Sequence, residues 1–262
     1  MKRWAVVFVL ALAGCGGTTE QTKEPATAAV PDLPAEGFAV QSGSNIEFRD
    51  VDGRLVGRMG GYRLAPSPGV PLAAMHRRKR YVLDLRTRRV VRLPQQELLA
   101  AVHRTVAGRC RVGPGRYLLC GRNILRAARS GKRAVLAAPP PSGVKLGHWE
   151  QAFLAPDGRR LLVQWSAECE IPITFVIHSR GGPLRVVSGE RNWADAPESI
   201  ALGFASDGRA MVLFPVAACG SGIERAGIYA IEMRSYRRRF VFPVRRGAAV
   251  VMWGRTALAP PP

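Results

Sequence analysis

An all-β chain is predicted by three observations: turn glycines at near-constant spacing, apolar runs of strand length after them, and abundant glycine and proline. Gly69, Gly115, Gly158 and Gly208 stand 46, 43 and 50 positions apart. The stretch Ala155-Pro156-Asp157-Gly158, followed by Leu161-Leu162-Val163, returns as Ala205-Ser206-Asp207-Gly208 followed by Met211-Val212-Leu213. An Asp-Gly pair supplies the positive φ of a tight reversal, and the run after it suits a buried strand. The 28 glycines and 20 prolines disfavour long helices, which they interrupt at about 1 and 3 kcal/mol each. With 262 residues, 47% of them hydrophobic, the chain can bury a large core, and this excludes disorder and collagen-like structure. A period of forty to fifty residues is the size of one blade of a β-propeller.

Before the repeats comes an address. Lys2 and Arg3 precede an apolar run from Trp4 to Ala13, short of the ~20 residues a lasting transmembrane helix needs. Residues 1–14 therefore read as a signal peptide. Leu12-Ala13-Gly14-Cys15 resembles the lipobox of bacterial lipoproteins. That resemblance implies diacylation of Cys15, palmitate included, cleavage before it, and retention on the extracytoplasmic side of the cell membrane. Gly16 is not the Asp signal of inner-membrane retention, so the outer membrane stays open where the cell has one. Residues 15–36 hold almost nothing large and apolar and read as a flexible tether. Fully extended, that segment spans about 70 Å.

Residues 37–258 read as the propeller domain and 259–262 as a tail. Five hairpins lie between the repeated turns: Ile46 to Arg58 around Asp52-Gly53, Tyr81 to Leu93 around Thr87-Arg88, and Ile124 to Ala137 around Ser130-Gly131. The last two are Phe175 to Val187 around Gly181-Gly182 and Tyr229 to Phe242 around Ser235-Tyr236. Four turns of the first kind alternate with five hairpins, so the first blade lacks an opening. Gly247 followed by Val250-Val251-Met252-Trp253 offers it, giving about five four-stranded blades closed by strands from both termini. Closure removes the free sheet edge. A sixth blade would need further strand within 92–104 or 185–199. The Asp-Gly repeats resemble the blades of TolB-like and WD40-like β-propellers, over residues 38 to 258. TolB carries a separate N-terminal domain where this chain has a tether, so its partners do not transfer.

Four cysteines follow Cys15, an even number with no Cys-x-x-Cys pair, which in an exported chain predicts disulfides. Cys110 and Cys120 flank the Gly113-Pro114-Gly115 turn, and Cys169 and Cys219 hold the same offset in two repeats. The predicted pairings are Cys110 with Cys120 and Cys169 with Cys219.

No phosphate loop, nucleophile elbow or zinc-protease helix occurs, and no cofactor, metal or catalytic residue is assigned. His76, His103, His148 and His178 stand alone. Asp50-Val51-Asp52-Gly53 lacks the further oxygen donors of a calcium loop and reads as a hairpin turn. Charge carries more information. Without Lys2 and Arg3, 37 basic and 19 acidic groups remain, a balance of +18, and only five lysines occur in the whole chain. In an antiparallel blade the first and third turns lie at one end. Arginines cluster there, so Arg86, Arg88, Arg89, Arg133, Arg159, Arg160, Arg237 and Arg238 are the candidate anion-binding face. Arg54, Arg116, Arg129, Lys132, Arg180 and Arg209 belong to the same turns. The guanidinium fork suits phosphate or carboxylate. Aromatic residues do not interleave with them as single-strand binding requires, so nucleic acid is not an expected partner.

The expected function is a monomeric, non-catalytic binding or scaffold lipoprotein. Its expected partners are the membrane, through Cys15, and an anionic lipid, wall polymer or acidic protein. The alternative is a propeller enzyme acting on an envelope glycan or peptide through Glu168, Glu170, Asp195 and Glu198, with Glu224 near that opposite end.

Overall fold

The computed structural model describes residues 30–64, 73–76, 82–85, 88–91, 110–112, 117–120, 123–127, 133–137, 147–167, 171–217, 220 and 222–254. Their strands form five four-stranded antiparallel sheets. The first holds β20 (Val250–Trp253), β1 (Gly37–Ser42), β2 (Asn45–Asp50) and β3 (Leu55–Gly60), in that order. The second holds β4 (Tyr62–Leu64), β5 (Ala73–His76), β6 (Val82–Asp84) and β7 (Arg89–Val91). The third holds β8 (Cys110–Val112), β9 (Tyr117–Cys120), β10 (Asn123–Ala127) and β11 (Arg133–Ala137). In the fourth are β12 (Gly147–Leu154), β13 (Arg160–Ala167), β14 (Pro172–His178) and β15 (Arg185–Val186). The fifth holds β16 (Ile200–Phe204), β17 (Ala210–Phe214), β18 (Gly227–Ile231) and β19 (Arg238–Pro243).

Among the described residues, these five sheets are the blades of a β-propeller. Closure uses one strand from the C-terminal side, β20, which pairs antiparallel with β1 from Gly37↔Trp253 to Val40↔Val250. The stretch 185–199 supplies no sixth blade: Arg185–Val186 is the outer strand of the fourth sheet, and the rest is loop around a 3-10 turn at Trp193–Asp195. Residues 92–104 lie outside the described residues.

Radial stacking is visible in how the core divides. Leu161 and Val163 of β13 join Tyr117, Leu119 and Ile124 of the third blade in one buried cluster. Leu162, between them, points the other way and joins Phe204, Val212 and Tyr229 of the fifth blade. Successive strand residues alternate sides, and here both sides are dry. This is why β17, β18 and the Leu161 to Val163 part of β13 read as continuous apolar runs. Two further clusters join the first blade to the second, through Phe48, Met59, Tyr62 and Leu83, and to the fifth, through Phe38, Met252, Met211 and Ile228. Opening strands of neighbouring blades also touch, β12 with β16 and β16 with β20.

The repeated turns share one geometry. The amide of Gly158 donates to the Ala155 carbonyl at 2.8 Å, that of Gly208 to Ala205 at 2.9 Å, and that of Gly53 to Asp50 at 3.0 Å. All three glycines have positive φ, 67°, 86° and 88°, the left-handed position closing a three-to-five-residue hairpin loop. Asp157 and Asp207 accept the amides of Arg159 and Arg209, and Asp50 accepts those of Asp52 and Arg54. The Asp50 carboxylate is thus committed to its own turn, as the hairpin reading requires.

One segment differs from its sequence assignment. Residues 30–36, placed in the tether because the stretch 15–36 holds almost nothing large and apolar, pack on the propeller. Val30 is buried in the cluster between the first two blades, and Pro31 lies against Gly57, whose missing Cβ leaves the room. Asp32 pairs with Arg88. The Pro34 carbonyl accepts the Trp253 indole N–H at 2.9 Å, and Glu36 accepts both the amide and hydroxyl of Ser206 at 2.8 Å. A handful of well-placed groups, rather than bulk hydrophobicity, holds this strap across the first, second and fifth blades.

Candidate anion-binding face and groove

Strand register places the β2–β3, β14–β15 and β18–β19 turns at the same end as β12–β13 and β16–β17, and the last residues of β4, β6, β8 and β10 point to that end as well. Here Asp52 joins two blades: Arg239 Nη2 donates to its Oδ1 at 2.8 Å, and Arg209 approaches the same oxygen at 3.4 Å. The Arg239 hydrogen bond outweighs the opposing effect of partial burial and, with Arg209, holds the Asp52 carboxyl below its ordinary range. Glu47, bonded by Arg49 at 2.8 Å and Arg58 at 3.2 Å, is lowered for the same reason, Arg49 contributing most.

The candidate arginines differ in their surroundings. Arg159 and Arg237 are exposed and take no ion pair among the described residues, as are Arg54 and Arg180 at neighbouring turns. Arg88, Arg160 and Arg238 have acidic neighbours: Asp32, Asp157 at 3.9 Å and Glu190 at 3.9 Å. Arg86 lies outside the described residues, as do Arg116, Arg129 and Lys132. Arg89 opens β7 and Arg133 opens β11, both at this end.

The expected division into a basic and an acidic end is not clean. Arg245 and Arg246 line a cavity of about 370 Å³ with Glu198 at the other end. Glu224 shares a cavity with Arg237 and Arg238, because the loop between β17 and β18 returns along the blade edge, its Gly222 against the Arg238 guanidinium. Asp195 is exposed and does not share the Glu198 cavity, and Glu168 and Glu170 lie outside the described residues. Cys110 stands directly opposite Cys120 in the β8–β9 ladder, and Cys120 is disulfide-bonded. Cys15, Cys169 and Cys219 lie outside the described residues, as does His103. Among the described residues, no group of three or more His, Cys, Asp or Glu is placed to hold a metal.

Sequence reasoning missed a groove between the fourth and fifth blades. Its larger part, about 560 Å³, is walled by Arg185, Arg191 and Trp193 on one side and Ser235 and Tyr236 on the other. That volume lies within the usual ~300–1,000 Å³ of small-ligand pockets. Tyr236 also borders a second cavity of about 460 Å³ with Arg225, Arg237 and Arg238. Trp193 rests on the core shared by the third and fourth blades, and Tyr236 on the core shared by the fourth and fifth. The groove walls are therefore set by blade packing.

Two local devices hold the walls. Thr174, fully buried, clamps both ends of the loop 187–199: its carbonyl accepts the Val187 amide at 3.0 Å, and its hydroxyl donates to the Ser199 carbonyl at 2.9 Å. The Thr174 amide in turn donates to Ser199 Oγ at 2.8 Å. Tyr236 has φ 56°, a left-handed conformation that costs a bulky residue roughly 1–3 kcal/mol. The first blade meets the matching demand with Gly53. Three contacts enforce it here: Tyr236 N–H to the Glu232 carbonyl at 2.9 Å, Glu232 N–H to the Arg237 carbonyl at 3.0 Å, and Ser235 Oγ to Glu232 at 2.6 Å. The Ser-Tyr pair was visible in the sequence only as a turn, since nothing local shows that a distant loop lies across from it.

Strand pairing thus defines a β-propeller among the described residues, with arginines at its turns. No protein-family model matches the chain, and no curated protein matches it. Among solved structures, a putative TolB from Agrobacterium tumefaciens is 17% identical, over 52% of this chain and 45% of its own, with a TM-score of 0.32. TolB from Acinetobacter baumannii is 12% identical over 79% of this chain and 52% of its own, TM-score 0.34. A periplasmic gluconolactonase from Pseudomonas aeruginosa is 15% identical over 82% and 69%, TM-score 0.31. The chain spans about half the length of the two TolB structures. Similarity at this level concerns overall fold, and the blade description stands on the strand register alone.

Proposed function

We propose that this chain is an extracytoplasmic, lipid-anchored propeller that binds an anionic envelope component through its turn face, without catalysis. Lipid on Cys15 supplies the anchor, and the tether ends in the strap at residues 30–36. Cystines between Cys110 and Cys120 and between Cys169 and Cys219 suit that compartment. The observation carrying the reading is the gathering of Arg54, Arg159, Arg180 and Arg237, exposed and without ion pairs among the described residues, at one end of the blades. Guanidinium groups free of protein carboxylates are available to phosphate or carboxylate ligands.

The test is co-sedimentation of the protein, its Cys15 replaced by Ser, with phosphatidylglycerol vesicles over a salt series. Association at low ionic strength that is lost at high salt, and is weakened by Arg159→Glu with Arg237→Glu, is expected. Indifference to these surfaces at low salt sinks the reading.

A further inference from the structure

We propose that the groove between the fourth and fifth blades is a binding site for an acidic saccharide. Its sugar ring lies against Trp193 and Tyr236, and its carboxylate meets Arg185 and Arg191.

Three features of one cavity lead there. First, a partly exposed indole and a partly exposed phenol line the same space, each seated on a different blade core. Flat aromatic faces with a polar tip suit a ring that is apolar on its faces and hydroxylated at its rim. Second, Arg185 and Arg191 line it, exposed and without ion pairs among the described residues. The acid beside them, Glu190, is occupied by Ser188 and Arg238. A cavity whose carboxylate is engaged and whose arginines are not selects an anion. Third, the wall at Tyr236 keeps a left-handed backbone that glycine would adopt without strain. Arg88 has the same conformation at the matching turn of the second blade; at Tyr236 it fixes where the phenol meets the cavity. Ser235 lines the cavity as well, its hydroxyl held in its own turn by Glu232 and the Arg237 amide.

This deepens the binding reading by naming a ligand class, and the two fail separately because the larger cavity is lined by Arg185 and Arg191 and not by Arg159 or Arg237. The full-length chain in detergent micelles is titrated with tri-galacturonate, with the neutral maltotriose, and with inorganic phosphate, following tryptophan fluorescence and calorimetry. Saturable binding of tri-galacturonate is expected, with maltotriose at least about tenfold weaker. Arg185→Glu with Arg191→Glu, both at exposed positions, should reduce it by about tenfold or more while leaving vesicle binding intact. Trp193→Phe should abolish most of the fluorescence change. The proposal is overturned if maltotriose binds equally well, if phosphate competes at equal concentration, if the double variant binds like the wild type, or if nothing saturates.

Discussion

Replacing Trp253 tests how firmly the ring depends on its closing strand. Trp253 is 4% exposed, packs edge-on against Phe48 at 6.3 Å between ring centres, and donates its indole N–H to the Pro34 carbonyl at 2.9 Å. It also stands opposite Gly37, where a Cβ would come within 2.8 Å of the indole ring, so no neighbour can easily collapse into a vacated space. Loss of a buried tryptophan costs about 3–5 kcal/mol, and the broken hydrogen bond adds about 1 kcal/mol. Trp253→Ala should therefore lose about 4–6 kcal/mol, a large share of the roughly 5–15 kcal/mol of a typical domain. Trp253→Phe keeps a ring but not the donor and should lose about 1–2 kcal/mol. Urea unfolding followed by circular dichroism reads both, with the slope unchanged if only stability moves. A loss below about 1 kcal/mol for the alanine variant would show that β20 and the strap are not part of the cooperative fold.

Three further outcomes follow from other contacts. Asp52 and Glu47 are held below their ordinary range, so the folded state binds fewer protons than the unfolded chain. Their stabilisation is complete at neutral pH and is lost as the pH falls through the lowered values. Asp52→Asn should flatten the decline of urea midpoints on acidification, and an unchanged decline refutes the Asp52 bridge. Gly208→Ala meets no atom within 4 Å, so its cost is backbone strain alone, about 1–2 kcal/mol by thermal unfolding; a neutral result would mean the turn is not left-handed. Thr174→Val removes the hydroxyl that holds Ser199 and should cost about 1–3 kcal/mol, with faster amide exchange in 187–199; unaltered exchange there would disprove the clamp.

The blade repeat was legible because its signals are local. An Asp-Gly reversal followed by an apolar run needs no knowledge of the rest of the chain, and Val250 to Trp253 could be matched to the first blade by counting strands. What escaped was the product of long-range meetings. The strap at 30–36 looks like linker, since Val30 and Leu33 are its only aliphatic groups beyond alanine and proline, yet it meets Trp253, Ser206 and Arg88. Sequence could not tell that Arg209 and Arg239 meet Asp52, or that Arg238 lies near Glu190. The groove was hidden for the same reason: Trp193 and Tyr236 are 43 positions apart in different blades.

Ring closure through β1 and β20 can be tested by cross-linking. Val40 and Val250 face each other directly, and the Gln41 amide bonds the Ala249 carbonyl at 2.9 Å, which makes the Val40 and Val250 pair a non-hydrogen-bonded one. Such partners stand about 4.5 Å apart at Cα, within reach of a disulfide. Val40→Cys with Val250→Cys should form an intramolecular cystine on mild oxidation, seen by mass spectrometry of unreduced peptides, whereas Val40→Cys with Ala248→Cys should not. No link in the first variant, or equal linking in both, would contradict a propeller closed in this register.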